Sequence, residues 1–111
     1  MDAEHGIIHF LHEVAADDVH GLTKSQENYG DSWKKRGGIG AYMMLARKWD
    51  RIERQLCGEP MYDIFSHIVR DERPEGLIDD IRDLRRYLML VEAEMRRLDV
   101  PAAVSIHRDN A

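Results

Sequence analysis

The chain has 111 residues, 43% hydrophobic, 33% charged and 7% aromatic, with a formal net charge of −5, a size that suits one domain and leaves little for a second core. The acidic balance excludes a nucleic-acid duplex as the main partner, since phosphate binding needs an excess of Lys and Arg on one surface. No apolar stretch approaches the length of a membrane span, Cys57 stands alone and so can form no internal disulfide, and the start Met-Asp-Ala-Glu-His lacks the pattern of a signal peptide; a cytoplasmic protein with no membrane partner is expected.

The first periodic segment covers about His5 to Ser25, with Ile8, Leu11, Ala15, Val19 and Leu22 recurring at steps of three or four on one helical stripe. Asn28-Tyr29-Gly30-Asp31 reads as its stop, because Asn and Gly tolerate positive φ and Asp31 or Ser32 can cap the next element. Trp33-Lys34-Lys35-Arg36-Gly37-Gly38 is a basic, glycine-rich connector without helical period. A second helix is predicted from about Ile39 to Leu56. Its apolar face is Ile39, Tyr42, Met43, Ala46, Trp49, Ile52 and Leu56, and Gly58 with Pro60 ends it. A shorter third helix, about Tyr62 to Arg70, carries Ile64, Phe65 and Ile68, and the segment Asp71 to Gly76 breaks it. The last helix, about Leu77 to Leu98, has Ile81, Leu84, Leu88, Val91, Met95 and Leu98 in near-heptad spacing; its roughly 22 residues span about 33 Å. From Asp99 a polar tail containing Pro101 is expected to fray.

Nothing alternates with period two for long enough to demand a strand. The expected fold is all-α, an antiparallel bundle of about four helices with one domain over 1–98 and a flexible tail over 99–111. Helix two, with Met43, Met44 and Trp49, offers more apolar surface than three neighbours cover, so a homo-oligomer, in the first place a dimer, is expected.

Two carboxylate pairs stand out. Residues three apart share a helix face, so Asp50 points with Glu53 and Asp80 with Asp83, with Asp79 adjacent and Tyr87 one turn on. If helices two and four pack antiparallel, the pairs can meet across a groove. Four facing carboxylates repel unless a cation sits between them. Hard oxygen ligands suit Mg²⁺ or Mn²⁺, which bridge to phosphate oxygens and acidify a bound water. Both pairs border core stripes: Glu53 follows Ile52, and Asp80 and Asp83 flank Ile81 and Leu84. The alternative is a solvated face of intrahelical pairs with Arg51, Arg54, Arg82, Arg85 and Arg86.

The spacing resembles the all-α nucleoside triphosphate pyrophosphohydrolases of the MazG and dimeric dUTPase type, whose pattern is Glu-x-x-Glu followed by Glu-x-x-Asp. Asp50-Arg51-Ile52-Glu53 is similar to the first element and Asp79-Asp80-Ile81-Arg82-Asp83 to the second. A closer resemblance is to the nucleotide-modification-associated domain family, found often in phages and prophages. Three pieces carry it in order. They are Glu27-Asn28-Tyr29-Gly30-Asp31-Ser32-Trp33, Lys48-Trp49-Asp50-Arg51-Ile52-Glu53-Arg54, and Asp79-Asp80-Ile81-Arg82-Asp83-Leu84-Arg85-Arg86-Tyr87. The resemblance implies a MazG-like, Mg²⁺- or Mn²⁺-dependent domain that binds a nucleotide and cleaves a nucleoside triphosphate to the monophosphate and pyrophosphate. Asp50, Glu53, Asp80 and Asp83 would carry the metal, with Glu53 and Asp80 central to catalysis. Nucleotide contacts would come from Tyr29, Trp33, Lys34, Lys35, Arg36, Lys48, Arg51 and Tyr87. Three ligand positions hold the shorter Asp where the hydrolase pattern mostly has Glu.

The basic residues Lys34, Lys35 and Arg36 beside Gly37 and Gly38 can clamp a triphosphate or form an exposed basic loop. Tyr29 and Trp33 can stack on a base or anchor a turn. His5, His9 and His12 share one face of helix one near Glu13, but no metalloprotease arrangement accompanies them. Cys57 is expected to pack at the end of an apolar face. A nucleotide binder without turnover and a structural adaptor are the alternatives to a hydrolase.

Overall fold

A computed structural model describes residues 6–68 and 76–103. Their regular structure is helical: α1 at Ile7–Tyr29, a 3₁₀ turn at Gly30–Lys34, α2 at Gly37–Leu56, α3 at Ile64–Ile68 and α4 at Leu77–Ala103. No strand occurs among the described residues, as the missing two-residue alternation predicts. The chain divides between Gly37 and Gly38 into two compact units.

In the N-terminal unit, α1 runs past the expected end at Ser25. It stops at Gly30, whose φ of 58° turns the chain and whose N–H donates to Gln26 O. Asp31 caps no helix. It ties the turn together, accepting from Gln26 Nε2 at 2.8 Å and lying 3.8 Å from Lys34 Nζ. The 3₁₀ turn at Gly30–Lys34 therefore covers the end of the expected stop and the first residues, Trp33 and Lys34, of the expected connector, because such a turn closes i to i+3 bonds and needs no apolar repeat. On α1 the buried residue is Asp18, with Val14, Gly21 and Leu22 half-buried, while Ile8, Leu11 and Val19 of the expected stripe are exposed. His5 lies outside the described residues.

The second unit begins within the first turn of α2, which opens at Gly37, just before the expected Ile39, where a φ of 74° suits glycine. After α2, Tyr62 adopts a left-handed φ of 57° and its N–H donates to Leu56 O at 2.8 Å, satisfying a carbonyl of the last turn. The third helix begins at Ile64 and not at Tyr62, because Asp63 is its N-cap: its carboxylate accepts from Ser66 N at 3.3 Å and Ser66 Oγ at 2.9 Å. The predicted end of this helix at Arg70 and the break over 71–75 lie outside the described residues. Gly76 leads into α4, and Asp79 reaches back to accept its N–H at 2.9 Å, one half of a capping box. Asp79 and Asp80 also place negative charge at the positive end of the helix. α4 continues beyond Leu98 and Pro101 to Ala103; a proline in the last turn forfeits one backbone hydrogen bond without ending the helix there. Residues 104–111 lie outside the described residues.

The core of this unit is small. Ile52, Leu56 and Leu77 are buried, and Ile64, Ile81 and Leu84 pack against them. Much of the expected apolar face of α2 is not used: Ile39, Tyr42, Met43 and Trp49 are exposed.

Candidate functional site at the seam of α2 and α4

Where α2 meets α4, three polar side chains of α2 reach two carboxylates of α4. Arg51 Nε stands 3.1 Å from Asp80 Oδ1, Gln55 Nε2 donates to Asp80 Oδ2, and Lys48 Nζ stands 3.7 Å from Asp83 Oδ2. The partners run 48, 51, 55 along α2 and 83, 80, 80 along α4, so the two helices are antiparallel here. Lys48, Arg51, Ile52, Gln55 and Leu56 recur at helical steps and present one face. The polar row and the core of Ile52, Leu56 and Leu77 are thus two edges of one contact.

Asp80 is the centre of this row. It is 1% exposed, and a carboxylate that deep is tolerated only when paired and hydrogen-bonded. Arg51 and Gln55 provide both partners from the facing helix. The Arg51 side chain is itself 51% exposed, so its outer edge remains in water. Asp83, one turn on, lies between Lys48 and Arg82, whose Nε is 3.7 Å from its other oxygen. Lys48 Nζ also sits 5.7 Å from the centre of the Tyr87 ring, a cation–π distance. Arg82 Nη1 meets Asp79 Oδ1 at 3.1 Å. Cations and carboxylates therefore alternate along the seam.

Of the residues expected to form a site, Lys48, Arg51, Asp80, Asp83 and Tyr87 come together. Asp50 and Glu53 do not join them. With about 100° between successive helical residues, a helix that turns Lys48, Ile52 and Gln55 toward α4 points Asp50 to the opposite side and Glu53 well off the contact. Both are exposed. The expected meeting of four carboxylates across a groove is replaced by carboxylates of α4 facing cations of α2. Among the described residues no three of His, Cys, Asp or Glu stand together as a metal-holding group. Tyr29, Trp33, Lys34, Lys35 and Arg36 belong to the N-terminal unit; Tyr29, Lys35 and Arg36 are exposed, and Trp33 and Lys34 half-buried. His9 is engaged with Glu13, Nε2 to Oε2 at 3.2 Å. Cys57 is exposed rather than packed, its Sγ bonded to Glu53 O at 3.3 Å.

Sequence reasoning missed Gln55 and Asp18. Gln55 falls seven residues after Lys48, on the same stripe, and that register was the available signal. Asp18 continues Leu11, Ala15 and Leu22 at helical steps, yet a charged residue was not counted into an apolar stripe. No described helix is long and apolar enough to cross a membrane. No protein-family model, curated protein or solved structure matches the chain.

Proposed function

We propose that this chain is a cytoplasmic, nucleotide-handling helical domain whose working surface is the α2–α4 seam, and that with Mg²⁺ or Mn²⁺ it cleaves a nucleoside triphosphate, canonical or modified, to the monophosphate and pyrophosphate. One observation carries the reading: Asp80, a carboxylate buried where an apolar side chain would cost less, is held by Arg51 and Gln55, with Asp83 and Lys48 one turn away. Carboxylate oxygens such as those of Asp80 and Asp83 are the donors a hard cation takes. Mg²⁺ keeps several waters and takes one or two carboxylates plus substrate phosphates, so Asp80 and Asp83 suffice without Asp50 and Glu53 in the same shell. The bound metal would supply charge neutralisation at the phosphoanhydride and a more acidic water. Lys48 and Arg51 now balance the carboxylates. With Asp80 and Asp83 neutralised by a bound cation, the charges of Lys48 and Arg51 would be available for phosphate oxygens, and Tyr87, beside Lys48, would offer a ring for the base. The reading carries with it the phage or prophage setting of the family resemblance.

A second reading, binding without turnover, is favoured by the same ion pairs, since carboxylates already neutralised by Lys48, Arg51 and Arg82 need no metal. Incubating the protein with canonical and modified triphosphates and Mg²⁺ or Mn²⁺ separates the two. Pyrophosphate release that disappears in Asp80→Asn supports hydrolysis. Thermal stabilisation by a nucleotide without release leaves the binder. Neither effect rejects nucleotide handling altogether.

A further inference from the structure

The side of α2 turned away from the seam carries a pattern of its own. Ile39, Tyr42, Ala46 and Trp49 follow at steps of three, four and three, with Met43 one turn after Ile39, and so share one helix face. Ile39 is 81% exposed and Tyr42 67%, and Met43 and Trp49 are about half exposed. This apolar stretch runs about 15 Å along the helix and ends in Asp50 and Glu53, which continue the same face. Both are exposed, and among the described residues neither carboxylate is held in an ion pair. Arg47 and Arg54, also exposed, border one side of it.

A contiguous apolar patch with a charged rim marks an interaction surface, and here shape and charge choose the occupant. A ridge with three-and-four spacing takes a helix whose apolar residues have the same spacing. Two unpaired carboxylates at its end call for lysine or arginine opposite them. A second copy of α2 matches poorly. In parallel, Asp50 and Glu53 of the two copies come together; in antiparallel, pairing the apolar stretches sets Asp50 opposite Gly38 and carries Glu53 past the start of the other α2 at Gly37. The same carboxylates repel an anionic lipid surface. We infer that this face of α2 docks an amphipathic helix of another protein, one whose apolar stripe ends in lysine or arginine. The face lies away from the α2–α4 seam, so the inference does not rest on the nucleotide reading.

Fluorescence anisotropy with the full chain tests it. The probe is a labelled synthetic helix with leucines at three-and-four spacing between lysine pairs, and the comparison is the same peptide with glutamate pairs. The lysine peptide is expected to bind roughly tenfold or more tightly than the glutamate peptide. Tyr42→Ser, and separately Asp50→Lys with Glu53→Lys, should each weaken that binding roughly tenfold. Glu13→Lys with Glu27→Lys, the same charge change on α1, should leave most of it. Circular dichroism checks that helicity is retained; if Tyr42→Ser loses it, the two charge pairs decide. No binding, equal binding of both peptides, or an equal loss in both charge pairs would overturn the inference. So would self-association, or adhesion to phosphatidylglycerol vesicles, that Tyr42→Ser abolishes, since either puts a different occupant on this face. The readout contains no nucleotide, so failure here and failure of the proposed function are separate results.

Discussion

Asp80 and Asp50 are both aspartates on long helices, each three residues before a second carboxylate, and they meet opposite surroundings. Asp80 is buried at the antiparallel contact with two donors from the facing helix, while Asp50 points into solvent from the far side of α2. The difference is one of register. Lys48, Ile52 and Gln55 share the face that meets α4, and Asp50 lies about 200° round the helix from Lys48. A carboxylate pair acquires a site only when its neighbours are brought to it, so identical spacing in two helices confers no common role.

Stability and activity measurements on the two faces of α2 and α4 should separate these surroundings. Leu77, 1% exposed, should cost about 2–5 kcal/mol when replaced by alanine, read by urea denaturation. Trp49→Ala on the outer face, where the side chain is half exposed, should cost far less. Under the hydrolase reading, Asp80→Asn should lower pyrophosphate release roughly 100-fold or more, whereas Asp50→Asn should leave it within a few-fold. Arg51→Ala leaves Asp80 with Gln55 as its one partner from α2 and is expected to cost roughly 1–3 kcal/mol; Asp50→Asn, by the same denaturation, should stay within about 0.5 kcal/mol. A smaller loss than at Leu77 should come from Asp79→Ala, which removes the carboxylate that accepts the Gly76 N–H, at about 1 kcal/mol. Equal costs at Arg51 and Asp50 would mean that the two faces of α2 are energetically equivalent.

The three long helices were legible in the sequence because their apolar residues recur at steps of three and four over long spans, and the start of α4 at Leu77 was legible from the break before it. What was not legible was which arc of α2 would be covered. Apolar residues cover roughly 200° of that helix, from Ala41 and Ile52 through Trp49 and Tyr42 to Ile39 and Met43. Periodicity therefore could not separate the arc that packs on Leu77 from the arc left in solvent. The polar row was hidden for a related reason. Lys48, Arg51 and Gln55 are long polar side chains that lie along a contact while keeping their ends near water, so an apolar stripe does not mark them. Asp80 and Asp83 do share a face, as their spacing requires, but a pattern of charge cannot say whether the facing helix brings more acid or, as here, base. The 3₁₀ turn at Gly30–Lys34 rests on local hydrogen bonds and on Asp31 as a tie, neither of which has an apolar period.

Calorimetric titration of a nucleoside triphosphate with Mg²⁺ into the unmodified chain, Lys48→Met, Asp83→Asn and Asp50→Asn tests the central claim most directly. If the α2–α4 seam is the nucleotide site, the unmodified protein and Asp50→Asn bind alike, and Lys48→Met and Asp83→Asn bind roughly tenfold more weakly or worse. No binding by the unmodified protein, or a loss in Asp50→Asn as large as that in the seam variants, would contradict it.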